Sequence, residues 1–150
     1  MDADAEAQVE SFIARYAEPI AERLRLSRAF MHRRLPGAFE LVYDNYNALA
    51  IAYGPSAKVS DVICSIAGYP RWISLFLAHG AELDDPTGVL KGTGSRVRHL
   101  VLDTAARLAE ADVEALLVQA AARAKPLDPG APVRTIVKSI SAKQRPRRPA

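Results

Sequence analysis

Between Phe39 and Leu77 the sequence passes through four apolar segments whose connections are too short to hold a helix, and that spacing constrains the chain more than any other feature. Phe39, Leu41 and Tyr43 alternate with Glu40, Val42 and Asp44, and the turn formers of DNYN follow. Leu49, Ile51 and Tyr53 then alternate with alanines as far as Gly54-Pro55-Ser56. A period of two bounded by Gly, Pro, Asn and Asp is the signature of strands. Residues 59–68 read as a third strand and 71–78 as a fourth, joined near Tyr69-Pro70. Parallel neighbours need a crossover of roughly a dozen residues or more, so these segments predict an antiparallel meander. Residues 96–102 add a fifth strand, with Val97, His99 and Val101 on one face.

Helical periodicity flanks this region. Val9, Phe12, Ile13, Tyr16, Ile20 and Leu24 recur at three- and four-residue steps within residues 6–33. Pro19 interrupts them, lacking an N–H and crowding the carbonyl four residues back. The expectation is a kink, or two helices with Pro19 in the first turn of the second. Asp2, Asp4 and Glu6 suit the positive end of the first helix, and Arg33-Arg34 the negative end of the second. Leu35-Pro36-Gly37 stops it. The period returns at Val113, Leu116, Leu117, Ala120, Ala121 and Ala124, with Asp103 or Thr104 placed to cap this region.

The predicted class is therefore α+β: an antiparallel meander sheet of about five strands, with N- and C-terminal helices packed on one face. The other face would be wet or covered by the tail. Residues 1–124 form the expected domain. Residues 125–150 are a Pro-rich basic extension: PLDPGAP as linker, TIVKSI as a short edge strand, AKQRPRRPA as partly disordered chain.

Charge divides along the same boundary. Residues 125–150 hold seven Lys and Arg against Asp128 alone, a net of +6, which leaves −3 for the rest of a chain whose total is +3. The body is thus not a basic nucleic-acid platform. No apolar run approaches the roughly 18 residues of a membrane span. The acidic start MDADAEAQVE resembles neither a secretory signal nor a transit peptide, so the expected location is cytoplasmic. Cys64, the sole cysteine, lies in the apolar VICSIA and reads as an inert buried thiol.

From residue 70 to 103 the order of parts resembles the YdhG-like (DUF1801) domain family. An aromatic-apolar strand, Trp72 to Leu77, leads to His79-Gly80-Ala81-Glu82-Leu83 and Asp85-Pro86. Then come Gly88-Val89-Leu90-Lys91-Gly92, Gly94, and Arg98-His99 entering a strand. With the flanking helix and meander, the likeness covers roughly residues 20–124. It implies an α+β fold compared with frataxin, and through that comparison intracellular iron binding and delivery. The family offers no role for the basic extension.

Several residue sets can carry chemistry. Lys91, Gly92, Gly94, Arg96, Arg98 and His99 can hold an anion, because glycines let backbone N–H groups converge and Arg adds charge-assisted bonds. The plainer reading is a tight turn with surface arginines. It is neither a Walker A loop nor a dinucleotide fingerprint, since a strand pattern follows GTG. Glu82, Asp84 and Asp85 near His79 offer oxygen ligands to a hard cation, though Asp85-Pro86 also starts a turn. The frataxin comparison places metal instead on the face of Asp2, Asp4, Glu6 and Glu10, where Glu6 and Glu10 sit one turn apart. His32, His79 and His99 accompany no HExxH, nucleophile elbow or CxxC.

The sequence thus leads to a non-enzymatic binding domain taking a small anionic ligand or a protein partner. The alternatives are frataxin-like iron delivery and tail-mediated, non-specific nucleic-acid contact. No cofactor is expected unless iron binds, and an uncovered sheet face would admit a homodimer.

Overall fold

The computed structural model describes residues 3–150. Helix α1 spans Ala3–Ile13 and α2 spans Glu18–Arg34, with Pro19 in the first turn of α2 where its missing N–H costs nothing. Strands β1 (Phe39–Asp44), β2 (Leu49–Gly54), β3 (Cys64–Gly68) and β4 (Ile73–Leu77) follow, then β5 (Arg98–Val101). A 3-10 turn at Ala105–Ala109 leads into α3 (Ala111–Arg123), and β6 (Arg134–Ile140) is the last element. Neither Thr104 nor Glu110, the residues before those two helical segments, makes a side-chain cap.

The six strands form one open sheet in the order β5-β4-β3-β2-β1-β6. The first five are antiparallel neighbours, but β6 lies parallel to β1. The expectation of a five-stranded, wholly antiparallel meander is corrected on both counts. Its premise holds only for consecutive strands: β6 reaches β1 after all the intervening chain, α3 included, so no short connection forbids the parallel pairing. The return path crosses Gly37, whose φ of +81° suits glycine; a Cβ there would stand 1.7 Å from the Asp128 carbonyl oxygen. One extra residue in β6, Lys138, makes a bulge opposite Val42–Tyr43.

The register sorts side chains by face. Val42, Leu49, Ile51, Tyr53, Cys64, Ile66, Ile73, Leu75, Leu77 and Leu100 share one face and are buried. They pack with Val9, Ile13, Leu24, Met31, Val113 and Leu117 of the helices in one apolar cluster. Gly68 belongs here because a Cβ would meet the Leu24 side chain at 2.9 Å.

β1 breaks the simple hydrophobic rule. Its acids Glu40 and Asp44 point to the helix side, while Phe39, Leu41 and Tyr43 point away. Buried carboxylates persist only when paired and hydrogen-bonded, and both are. Glu40, fully buried, accepts from Arg28 Nε (3.0 Å) and Nη2 (2.8 Å), from Tyr53 OH (2.7 Å) and from Thr135 Oγ1 (2.8 Å), and lies 2.7 Å from His32 Nε2. Burial pushes its carboxyl up, but the hydrogen bonds from His32 and Arg28 outweigh that and hold it at about 2. Asp44 accepts from Arg15 at 2.6 and 2.8 Å and from Arg147 at 3.0 Å.

Arg147 belongs to the stretch read from sequence as partly disordered. Instead, residues 141–148 are docked on the β1–β2 turn. Ser141 N–H donates to the Asp44 carbonyl, Arg145 N–H to the Tyr46 carbonyl, and Arg148 Nε to the Arg15 carbonyl. The sequence cue of disorder was composition alone; the buried carboxylate of Asp44 is what seats the segment.

Candidate functional site

The apolar core cluster lies on one face of the sheet; on the other, Leu41, Ala52, Ala67 and Ser74 are nonetheless buried, while Phe76 and His99 are half-buried and Val101 is exposed. β1, β2, β3, β4 and β5 present Leu41, Tyr43, Ala50, Ala52, Ser65, Ala67, Ser74, Phe76, His99 and Val101 there, and β6 adds Arg134 and Ile136. The central strands carry only small side chains, so the floor is low and the aromatic residues stand as walls. The His99 ring stacks on Phe76 with centroids 5.2 Å apart, and Arg134 lies over Phe39 at 3.9 Å. Lys138 reaches from β6 to the Ala57 carbonyl at 3.1 Å. None of these face residues is acidic, because the two acids of β1 point the other way.

The floor continues into the end of the sheet where β1, β3 and β6 finish. Two adjoining clefts lie there. One is lined by Asn45, Tyr46, Ala50, Ala67, Tyr69 and Phe76 among others, and the second by Asn47, Tyr69, Arg71, Trp72, Arg145 and Arg148. No acidic side chain lines either. The β3–β4 connection closes through Tyr69 N–H donating to the Trp72 carbonyl at 2.9 Å. With Pro70 fixing the backbone between them, the two rings stack at 4.6 Å and 15°. Trp72 remains 41% exposed and Tyr46 43%. Arg145 sits over the Tyr46 ring at 5.5 Å. Arg147, buried, fixes the backbone that carries exposed Arg145 and Arg148 on either side.

The residues singled out from sequence are placed differently. In the Gly-rich loop, Lys91 pairs by backbone with His99 in both directions, at 2.8 and 2.9 Å, extending the edge of β5. Gly92 has φ +121°, a turn position, while Gly94 is open. Arg98 donates to the Gly94 and Val97 carbonyls, so its guanidinium ties the loop to itself. The Arg96 carbonyl accepts from Ala81 N–H, and its side chain is exposed. His99 is on the face away from the core cluster, separated from Arg98 by the strand's alternation.

The acidic candidates do not gather. Asp85 accepts from the Val89 and Leu90 N–H groups at 3.0 and 2.9 Å, building a turn. Glu82 meets Arg123 at 3.3 Å, and Asp84 binds Gln119 through its backbone. His79 is exposed at the rim of a narrower pocket whose cations Arg123 and Lys125 already pair with Glu82 and Asp61. Glu6 is bonded to Arg28 at 2.5 and 2.7 Å, which lowers its pKa, and Glu10 to Arg25 at 3.1 Å. Asp2 lies outside the described residues. Among those described, no three His, Cys, Asp or Glu come together as a metal site. Cys64 is buried, and burial pushes its thiol up to about 12.

Comparison with protein-family models, curated proteins and solved structures finds no match. The YdhG-like resemblance therefore rests on the residues quoted for it. Among the described residues, no helix is long and apolar enough to cross a membrane.

The sequence reads Trp72 within the fourth strand, residues 71–78, and AKQRPRRPA as partly disordered chain. The readable signal was the pair of aromatic-bearing turns, NYN and YPRW. An aromatic residue in a turn has no sheet face to pack on, so it stands out at the surface.

Proposed function

We propose that this chain is a non-enzymatic binding protein of the YdhG-like type, working in the cytoplasm, that takes an anionic ligand at the Trp72–Arg145 end of the sheet face away from the helices. One observation carries the reading: the residues lining the two clefts include Arg71, Arg145 and Arg148 and no acidic side chain. Among the described residues none of these arginines meets a carboxylate, unlike Arg15, Arg25, Arg28 and Arg34, whose guanidiniums each do. A cation without a carboxylate partner keeps its full attraction for an incoming anion, and Arg suits phosphate and carboxylate geometry. The Gly-rich loop is the weaker candidate, since Arg98 is spent on the loop's own carbonyls.

Titration with inorganic polyphosphate at low salt tests this. The triple variant Arg71→Ala, Arg145→Ala, Arg148→Ala should lose at least about tenfold in affinity, on the order of 1.4 kcal/mol. The double variant Arg96→Ala, Arg98→Ala should bind as the parent does. Undiminished binding by the triple variant would remove this surface, and loss in the double variant would return the site to the loop.

A further inference from the structure

We infer that the anion taken at the Trp72–Arg145 end is a single-stranded nucleic acid, with bases stacked on the exposed aromatic rings and phosphates held by the flanking arginines. This rests on the anionic-ligand reading and narrows it.

Arginines alone would serve any polyanion. The aromatic rings add the selectivity. Trp72 and Tyr69 stack face to face with nearly parallel planes, so Tyr69 backs Trp72 and holds it as a flat apolar plate, and Trp72 keeps two fifths of its surface open. Tyr46, also exposed, forms a second plate with the Arg145 guanidinium above it. Exposed aromatics cost a soluble protein, because apolar area is left in water. Two such plates beside three arginines that meet no carboxylate among the described residues match the way single strands are held: a positive track for the backbone, rings for successive bases. Asn45 and Asn47 line the same clefts, and their amides can donate to and accept from base edges. The floor of Ala50, Ser65 and Ala67 leaves room above the sheet for a flat ring.

The docking of residues 141–148 matters here. Arg147 pins this stretch to Asp44, so Arg145 and Arg148 are presented from a held backbone and not from a loose tail. Pre-organisation of that kind lowers the ordering cost of binding. A duplex keeps its bases stacked on one another and cannot offer them to Trp72, so the strand must be single.

Trp72 is the sole tryptophan, which makes it a built-in reporter. The full chain is titrated with a dodecamer of oligothymidylate or oligouridylate, with a duplex of equal length, and with polyphosphate. The expected result is quenching of the Trp72 emission by the single strand and a several-fold preference for it over the duplex. The affinity should fall with salt at a log–log slope of about −2, as for three neutralised phosphates. With a labelled oligonucleotide read by anisotropy, Trp72→Ala and Tyr46→Ala should each weaken single-strand binding about tenfold. Both should leave polyphosphate binding and the thermal midpoint in place. Equal affinity for single strand, duplex and polyphosphate, with Trp72→Ala silent, overturns the nucleic-acid inference while the anionic reading stands. Absence of binding to all three overturns both.

Discussion

Glu40 shows how much one side chain decides. Five short contacts converge on its carboxylate from α2, β2 and β6, so it ties the helical layer and the last strand to the centre of the sheet. Its folded-state pKa, about 2, lies below the usual 4.5. A depressed carboxyl contributes stability that is complete above the unfolded value and is lost as the pH falls through the folded one. Urea midpoints should therefore hold down to about pH 4.5 and decline between there and about pH 2, by on the order of 3 kcal/mol for this group. Glu40→Gln should cost about 3–5 kcal/mol at pH 7, because Arg28 would keep its buried position with Glu6 as its one carboxylate. That variant should also show a shallower acid decline, and identical acid profiles for variant and parent would show that Glu40 is not the group responsible. Cys64 tests the neighbouring interior: with its thiol buried and raised to about 12, it should resist iodoacetamide in the native protein and react once urea unfolds it. Rapid native alkylation would mean that the β3 core opens readily.

Most elements were legible, for reasons that particular residues make plain. Pro19 marked the break between α1 and α2, and Leu35-Pro36-Gly37 marked the end of α2, because proline and glycine act locally and tertiary contacts rarely overrule them. The alternation in β1 was equally clear, yet its facing was not. Phe39, Leu41 and Tyr43 look like the core side until Arg28, Arg15 and Arg147 are known to wait under Glu40 and Asp44. Two acids four residues apart in one strand were the available hint, and only arginines distant in sequence give it meaning. TIVKSI reads as a short edge strand and is one, β6, but its parallel pairing with β1 and its docked continuation were obscured the same way, since composition does not reveal a partner more than ninety residues away. The continuation gives an element-scale prediction. Arg147→Ala should free residues 141–148, seen as faster amide exchange at Ser141 and Arg145, whose N–H groups bond to Asp44 and Tyr46. The stability cost should be about 1–3 kcal/mol, since Asp44 keeps Arg15 and Gln144. Unchanged exchange would show that the strand pairing alone holds the segment.

Across the whole molecule, charge is sorted by face. The buried carboxylates of β1 on the helix side, Glu40 and Asp44, are matched by arginines, whereas the strand residues of the far face and the clefts at its Trp72 end carry cations without acidic side chains. The small net charge conceals this polarity, which is a property of three-dimensional placement: the sequence shows a basic tail, and the fold turns it into the wall of an aromatic cleft. The same placement bears on how the protein is made. Glu40 needs Thr135, and Asp44 needs Arg147, yet a ribosome delivers both partners well after β1 through β5 have emerged. During synthesis the sheet must wait with two acids of its β1 strand incompletely satisfied and one strand edge open. Nascent chains stalled before residue 134 would then be recognisably unfinished to chaperones and proteases, and arrival of β6 would serve as the signal that the sheet is closed on its β1 side.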